Sequence, residues 1–181
     1  IVKEFGNAMV KGYQGLNNNV ADKYKVAVCV KHFVGYHPTI SGKDRTPAYI
    51  PDHVLKEYHI EPFRKAIDLG AKSIMINSGL INGKPVHADY NLITNVLRNE
   101  LGFEGVILTD WEDINKLHSR DKVAKTIKEA IKIAINAGID MSMVPYDYEV
   151  FCENLIDLVN EGEVQMSRID DAVKRILKLK F

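Results

Sequence analysis

Short apolar runs rich in β-branched residues alternate along this chain with longer segments of helical period. Each short run is almost continuously apolar, which is typical of strands covered on both faces in a parallel sheet. Four strands are predicted in this way, at residues 26–30, 73–76, 106–109 and 141–144.

The segments between these runs carry apolar residues every three or four positions, which predicts helices. Pro62 suits the first turn of a helix that ends at Gly70. A second apolar stripe stops at Gly102, and a third, with Asp121 as its candidate N-cap, stops at Gly138. One helix is also predicted at the start of the chain, and two more are predicted near its end, at residues 151–159 and 169–177.

This order, a helix followed by four β-α units, predicts an α/β fold. No G-x-G-x-x-G or Walker loop follows any strand, so a nucleotide-binding open sheet is disfavoured. Polar residues instead follow the strands' carboxyl ends, where the active sites of β/α barrels are built. These residues are Lys31, His32, Asn77, Ser78, Asp110 and Trp111.

A complete TIM-type (β/α)8 barrel takes about 250 residues, so four units are half of one. We therefore expect residues 1–181 to form a partial barrel domain, with four parallel strands each followed by a helix. Half a barrel leaves two open sheet edges. A longer natural chain, or a second copy in a homo-oligomer, is expected to close them.

Composition and charge remove several classes of partner. The chain has 181 residues, 24 of them basic and 24 acidic, and no Lys/Arg-rich block, so nucleic acid is not expected as a partner. No segment approaches the about 20 apolar residues that span a bilayer, so no membrane partner is expected either. Cys29 and Cys152 are interpreted as small buried hydrophobic residues rather than a disulfide or metal pair.

The stretch GVILTDWEDI places a carboxylate and a large flat apolar surface side by side at the end of a predicted strand. Such a pair suits sugar chemistry, since Trp111 can stack on the apolar face of a pyranose while Asp110 attacks or stabilises the anomeric carbon. The alternative is that Asp110 caps the next segment and Trp111 belongs to the core.

Four motifs occur in a fixed order: KHFVGY, MINSGLINGKPVHA, LRNELGFEGVILTDW and AGIDM. Together they strongly resemble the second half of the catalytic barrel of glycoside hydrolase family 3, the β-glucosidase family. The resemblance covers nearly the whole chain. It implies retaining hydrolysis of terminal, non-reducing β-D-glucosyl residues in a small β-glucoside or oligosaccharide, without a cofactor.

The resemblance also implies roles for individual residues. Asp110, followed by Trp111, matches the nucleophile that forms a covalent glycosyl-aspartate. Lys31 and His32 match a pair that binds glycone hydroxyls, and a nearby ammonium is expected to keep Asp110 ionised. Arg45 matches an Arg in the loop after that pair.

Two further positions are matched to the family's sugar pocket. Met75 matches a Met that lines it, although a core role explains a Met in a strand equally well. Ser78 stands where many members carry Tyr, so an aromatic wall is absent there.

The family implies an acid/base residue that this chain does not match. In the glucosidase branch it is a Glu from a domain after the barrel, so the isolated chain is not expected to turn over glycosides. The N-acetylhexosaminidase branch uses an Asp-Ser-His segment after the Lys-His motif. His37 and Asp44 are present here without that order, which keeps this activity as an alternative. A non-catalytic sugar-binding or assembly module is the alternative from another class.

The remaining histidines are interpreted as surface or locally bonded side chains and several carboxylates as solvated surface groups, and no metal site is expected. The histidines are His53, His59, His87 and His118. The carboxylates are Glu57, Glu61, Glu112 and Asp113.

Overall fold

A computed structural model describes residues 1–181. The strands are β1 (Cys29–Phe33), β2 (Ser73–Ile76), β3 (Leu80–Ile81), β4 (Lys84–Pro85) and β5 (Val106–Leu108). The helices are α1 (Val2–Gln14), α2 (Asp52–Val54, Leu55–Ile60 and Glu61–Asp68 in succession), α3 (Asn91–Glu100), α4 (Asp113–Ser119), α5 (Ile127–Ala137), α6 (Tyr148–Asn160) and α7 (Met166–Lys180). A 3-10 turn, Val86–Ala88, follows β4.

Three strands form a parallel sheet in the order β1-β2-β5. Lys31, Met75 and Leu108 lie side by side across it. Ile74 and Ile107 are fully buried in the core that the sheet forms with the helices, whereas Met75 and Leu108 are half-buried and Lys31 is exposed. The predicted α/β fold with a parallel sheet and helices is therefore confirmed.

The first strand lies three residues later than predicted. The amide of Val26 donates to the carbonyl of Tyr13, 3.0 Å away, and the amide of Val28 donates to the Gln14 side chain at 2.9 Å. These residues bond to the end of α1, so regular pairing with β2 begins only at Cys29.

The fourth predicted strand, at residues 141–144, is not confirmed. A single bridge joins Met141 to Leu108 beside β5. Beyond it, the amide of Met143 donates to the side-chain oxygen of Thr109 at 2.8 Å instead of to a backbone carbonyl. The regular ladder ends there because a side chain has replaced the backbone partner.

One helix start differs from prediction, and another has an unpredicted extension. Thr126, not Asp121, caps α5: its side chain accepts from the amide of Glu129 at 3.1 Å. Pro62 lies in the first turn of the α-helical segment Glu61–Asp68, as predicted, but the π-helical segment Leu55–Ile60 leads into that turn, so α2 as a whole begins at Asp52. Proline lacks the N–H of a regular helix, and a wider turn is a common accommodation.

Beside the amino end of β5, a buried carboxylate fastens α7 to the sheet. Asp140 contacts Arg98, Arg168 and Arg175, and it accepts from the amide of Ile107 at 2.9 Å. Burial, only partly offset by Asp140, lowers the pKa of Arg98 to about 10. Both cysteines, in contrast, are exposed, so their predicted burial is wrong.

None of the helices is long and apolar enough to cross a membrane.

Candidate active site

The Asp110 carboxylate lies just beyond the carboxyl end of β5 and is only 8% exposed. Its Oδ1 accepts from the amide of Trp111 at 2.6 Å. Its Oδ2 lies 3.5 Å from an Arg45 guanidinium nitrogen and 3.8 Å from Nε2 of His32. One carboxylate oxygen is thus held by the backbone, while the other faces two long-range donors.

The charge state of this carboxylate follows from these contacts. Burial of Asp110 opposes ionisation, but the Trp111 amide and the charge of Arg45, together with His32 where it is protonated at acidic pH, outweigh it and hold the pKa below its usual value. Asp110 is therefore an anion at neutral pH.

His32 sits at an irregularity in β1, since Lys31 pairs with Met75 while Phe33 pairs with the next residue of β2. Its ring stacks on Tyr36, with ring centroids 4.6 Å apart. Burial lowers the pKa of His32, Asp110 opposes this, and the neighbouring Lys31 reinforces it. The imidazole is therefore neutral at neutral pH and can both donate and accept.

The loop after β1 returns Arg45 to the site. Arg45 has a left-handed backbone, with φ of 58°, and lies 3.9 Å from the carboxylate of Asp44. Asp44 in turn accepts a hydrogen bond from the Tyr36 hydroxyl. The cation that contacts Asp110 is thus Arg45, not the ammonium expected from the Lys-His pair.

Lys31 and Trp111 leave their functional groups open. The Lys31 side chain is exposed and makes no side-chain hydrogen bond or ion pair. Trp111 is 45% exposed, and its ring meets the ring of Tyr146 edge-on at 6.1 Å. Met75 is half-buried between Lys31 and Leu108 in the sheet.

Ser78 is placed differently from the expectation. It is fully buried, and its hydroxyl donates to Oδ1 of Asp113 at 2.8 Å. Arg120 donates to the same hydroxyl at 3.2 Å. These contacts argue against direct contact between Ser78 and a substrate.

Two residues interpreted as surface groups are in fact buried behind Asp110. His87 is 2% exposed, so it is not a surface side chain, and Asp113 is 1% exposed, so its interpretation as a solvated group is wrong. The His87 position is created by the β3–β4 hairpin, whose Asn82 and Gly83 both have positive φ. An Asn-Gly pair between apolar residues is a sequence signal for such a hairpin, although it does not reveal the contact with Asp110.

The site is an open edge of the sheet rather than an enclosed chamber. A cavity of about 450 Å³ lies elsewhere, near the amino ends of β2 and β5. Lys72, Phe103 and Arg175 are among its lining residues. It shares none of its lining residues with the group around Asp110.

Comparison with known proteins shows the family to which this chain belongs. The model of the glycosyl hydrolase family 3 N terminal domain matches residues 1–179. The chain belongs to glycoside hydrolase family 3. Its relatives include a lysosomal beta glucosidase of Dictyostelium discoideum, 48% identical over 100% of this chain and 22% of the relative. A periplasmic beta-glucosidase of Salmonella typhimurium is 32% identical over 97% of this chain and 22% of the relative.

Solved structures of β-glucosidases share the fold. A beta-glucosidase from Listeria innocua, also solved in complex with glucose, superposes with a TM-score of 0.91 at 30% identity, over 98% of this chain and 24% of that one. A β-glucosidase from Erythrobacter marinus gives a TM-score of 0.90 at 34% identity, over 97% of this chain and 23% of that one. The family 3 chain described here thus spans less than a quarter of each of the four proteins named above.

Proposed function

We propose that the full-length protein containing this chain is a retaining β-glucosidase that removes terminal, non-reducing β-D-glucosyl residues. The observation that carries the proposal is the buried, ionised carboxylate of Asp110 at the carboxyl edge of a parallel sheet, beside His32 and Arg45. Both relatives named above are β-glucosidases, which supports glucose as the glycone.

In the proposed reaction, Asp110 attacks the anomeric carbon of the glucosyl unit, and the bond to the leaving-group oxygen breaks as a proton is delivered to that oxygen. Water then attacks the glycosyl-aspartate, so that the glucose leaves with its original configuration. The second oxygen of Asp110 suits the attack, because it has no short hydrogen bond to break first.

The surrounding groups are proposed to hold the sugar. Lys31, His32 and Arg45 present donors to its hydroxyls, and the exposed ring of Trp111 offers a surface for an apolar sugar face. Met75 is proposed as an apolar contact below the ring.

The chain is proposed to form half of a TIM-type barrel within a longer protein. This agrees with the share of each relative that it matches, about 22% for the first two. The acid/base carboxyl is then supplied by another part of that protein. The isolated chain should bind sugar weakly and not hydrolyse an aryl β-glucoside at a useful rate. Robust hydrolysis by residues 1–181 alone contradicts this.

Contacts in the loop after β1 disfavour N-acetylhexosaminidase activity. Asp44 is bonded to Tyr36 and lies beside Arg45, whereas the ring of His37 is close to that of His59, with centroids 5.4 Å apart. Asp44 and His37 therefore do not form the acid/base pair that this activity requires.

The decisive experiment traps the intermediate. The full-length protein is incubated with a 2-deoxy-2-fluoro-β-glucoside carrying a good leaving group, digested, and mapped by mass spectrometry. We expect one label, on Asp110, and protection by excess glucose. A label on another residue contradicts the nucleophile assignment, and sugar binding without any label supports a non-catalytic module.

A further inference from the structure

A buried histidine lies directly behind the proposed nucleophile. The backbone N–H of Asp110 points at Nε2 of His87, 3.4 Å away, and the histidine is 2% exposed. This is the hydrogen bond that the structure gives to that buried amide. Without an acceptor there, burying the amide would cost free energy.

The orientation of the imidazole is set from its other side. Because Nε2 accepts, the ring proton resides on Nδ1, which faces Oδ2 of Asp113 at 3.6 Å. That Oδ2 atom has no hydrogen-bond partner, so the imidazole Nδ1–H is the donor aimed at it. The other oxygen of Asp113 is occupied by Ser78 at 2.8 Å and by Lys116 at 3.0 Å.

This arrangement connects three separate parts of the chain. His87 comes from the turn after β4, Asp113 begins α4, and Asp110 ends the segment after β5. Glu112, with φ of 55°, turns the backbone so that Asp113 points back under Asp110. The result is a polar line from Asp113 through His87 to the peptide group that carries the proposed nucleophile.

We propose that His87, oriented by Asp113, is a positioning residue that fixes the Thr109–Asp110 peptide plane and thereby aims the Asp110 carboxylate. The proposal rests on the function proposed above for Asp110. Small displacements of a reacting group of about 1 Å can cost about 100-fold in rate, so a fixed peptide plane matters for attack on the anomeric carbon.

The charge of the histidine is consistent with this role. Burial lowers the pKa of His87 to about 4, against the opposing effect of Asp113. Across the neutral range the ring therefore stays uncharged and keeps its Nε2 lone pair for the amide of Asp110. Protonation would place two N–H groups facing each other.

Three substitutions in the full-length protein test the idea. His87→Gln can present an acceptor oxygen at the position of Nε2, His87→Asn reaches only the position of Nδ1, and His87→Leu fills the space without any polar atom. The fraction of competent sites is counted by labelling to completion with the 2-fluoroglucoside, and kcat is expressed per labelled site. This removes any contribution from misfolded protein.

We expect kcat per labelled site to fall about tenfold or more in His87→Asn and His87→Leu, and about threefold or less in His87→Gln. KM should stay within about twofold of the original, because no sugar contact changes. His118→Leu, which removes a 3.0 Å contact with the carbonyl of Ala124 away from Asp110, serves as the control and should match the original enzyme.

Each result has one meaning. Equal kcat per labelled site in His87→Asn and the original enzyme overturns the positioning role, while normal labelling of Asp110 leaves the proposed function intact. Absence of label on Asp110 in the original enzyme overturns both. If His87→Leu does not fold, the comparison of Gln with Asn still decides, and equal losses in those two variants also overturn the role.

Discussion

Two buried aspartates at opposite ends of β5 differ greatly in the contacts that their carboxylates make. Asp140, near the amino end, has a fully buried side chain that contacts three arginines and a backbone amide. Asp110, beyond the carboxyl end, has one amide at 2.6 Å and meets Arg45 and His32 only at 3.5 and 3.8 Å. The first carboxylate is saturated with donors, whereas the second is ionised but keeps an oxygen with weak contacts.

The difference separates a structural anion from a reactive one. A carboxylate surrounded by short, charged hydrogen bonds is held in one geometry and is a poor nucleophile. A carboxylate kept anionic by a more distant cation retains a lone pair for a carbon atom. Substitution of Asp140, near the amino end of the strand, should therefore lower stability, whereas substitution of Asp110, beyond its carboxyl end, should lower activity.

Substitution of the reactive aspartate should have the largest effect. In the full-length protein, Asp110→Asn should lower kcat about 1,000-fold or more, because the amide cannot form the glycosyl ester. The thermal midpoint should move by less than about 3 °C, since only weak contacts are lost. Steady-state assays with an aryl β-glucoside and calorimetry measure the two quantities.

The exposed Asp68, paired with Lys65 on α2, offers a matched control. Asp68→Asn should leave both quantities unchanged. Turnover in Asp110→Asn above about a tenth of the original is incompatible with the proposed nucleophile.

Substitution of the structural aspartate should reverse this pattern. Asp140→Asn removes the ion-pair partner of Arg98 and leaves Arg168 with Asp171 alone, so the free energy of unfolding should fall by about 3–5 kcal/mol. Denaturant unfolding measures this change, and kcat per labelled site should remain within about twofold of the original.

The surface residue Glu104, 3.5 Å from Lys178, provides the comparison for that measurement. Glu104→Gln should cost less than about 1 kcal/mol, since both partners are well exposed. If Asp140→Asn and Glu104→Gln lower the free energy of unfolding by similar amounts, the buried cluster of Asp140 and its arginines does not stabilise the fold.

The smallest effect is expected at Arg45, which lowers the pKa of Asp110 from 3.5 Å away. A carboxylate whose pKa is lower in the folded than in the unfolded protein stabilises the fold at pH values above its unfolded-state pKa. This stabilisation is lost as the pH falls through the folded-state pKa. Arg45→Leu raises the pKa of Asp110, so the acid limb of the kcat/KM profile should move to higher pH. Arg45→Lys keeps the positive charge, so the acid limb of its kcat/KM profile should stay close to that of the original enzyme. If the acid limb does not move in Arg45→Leu, Arg45 does not set the pKa of Asp110.

Local sequence patterns predicted much of the fold. The β2 strand occupies the predicted residues, β5 begins where predicted, and Gly138 ends α5 as expected. Apolar periodicity and glycine stops suffice for such elements. The fourth strand could not be foreseen because its pairing is interrupted by the Thr109 side chain, a contact between residues 34 positions apart.

Part of the candidate site could likewise be predicted from the sequence, and part of it could not. Asp110 and Trp111 follow a clear strand, so their position at the sheet edge was predictable, and family motifs pointed to Lys31 and His32. His87 was missed because it precedes Asp110 by 23 residues and reaches it only through the hairpin. No periodicity encodes such a contact, since it depends on how separate loops meet.

The indole of Trp111 gives the chain a built-in optical probe. It is the only tryptophan of the sequence, 45% exposed and adjacent to Asp110. Its fluorescence therefore originates beside the proposed sugar position and nowhere else in these 181 residues. A hexose resting on the ring should shield it from iodide quenching, so occupancy can be followed by light without attaching a dye.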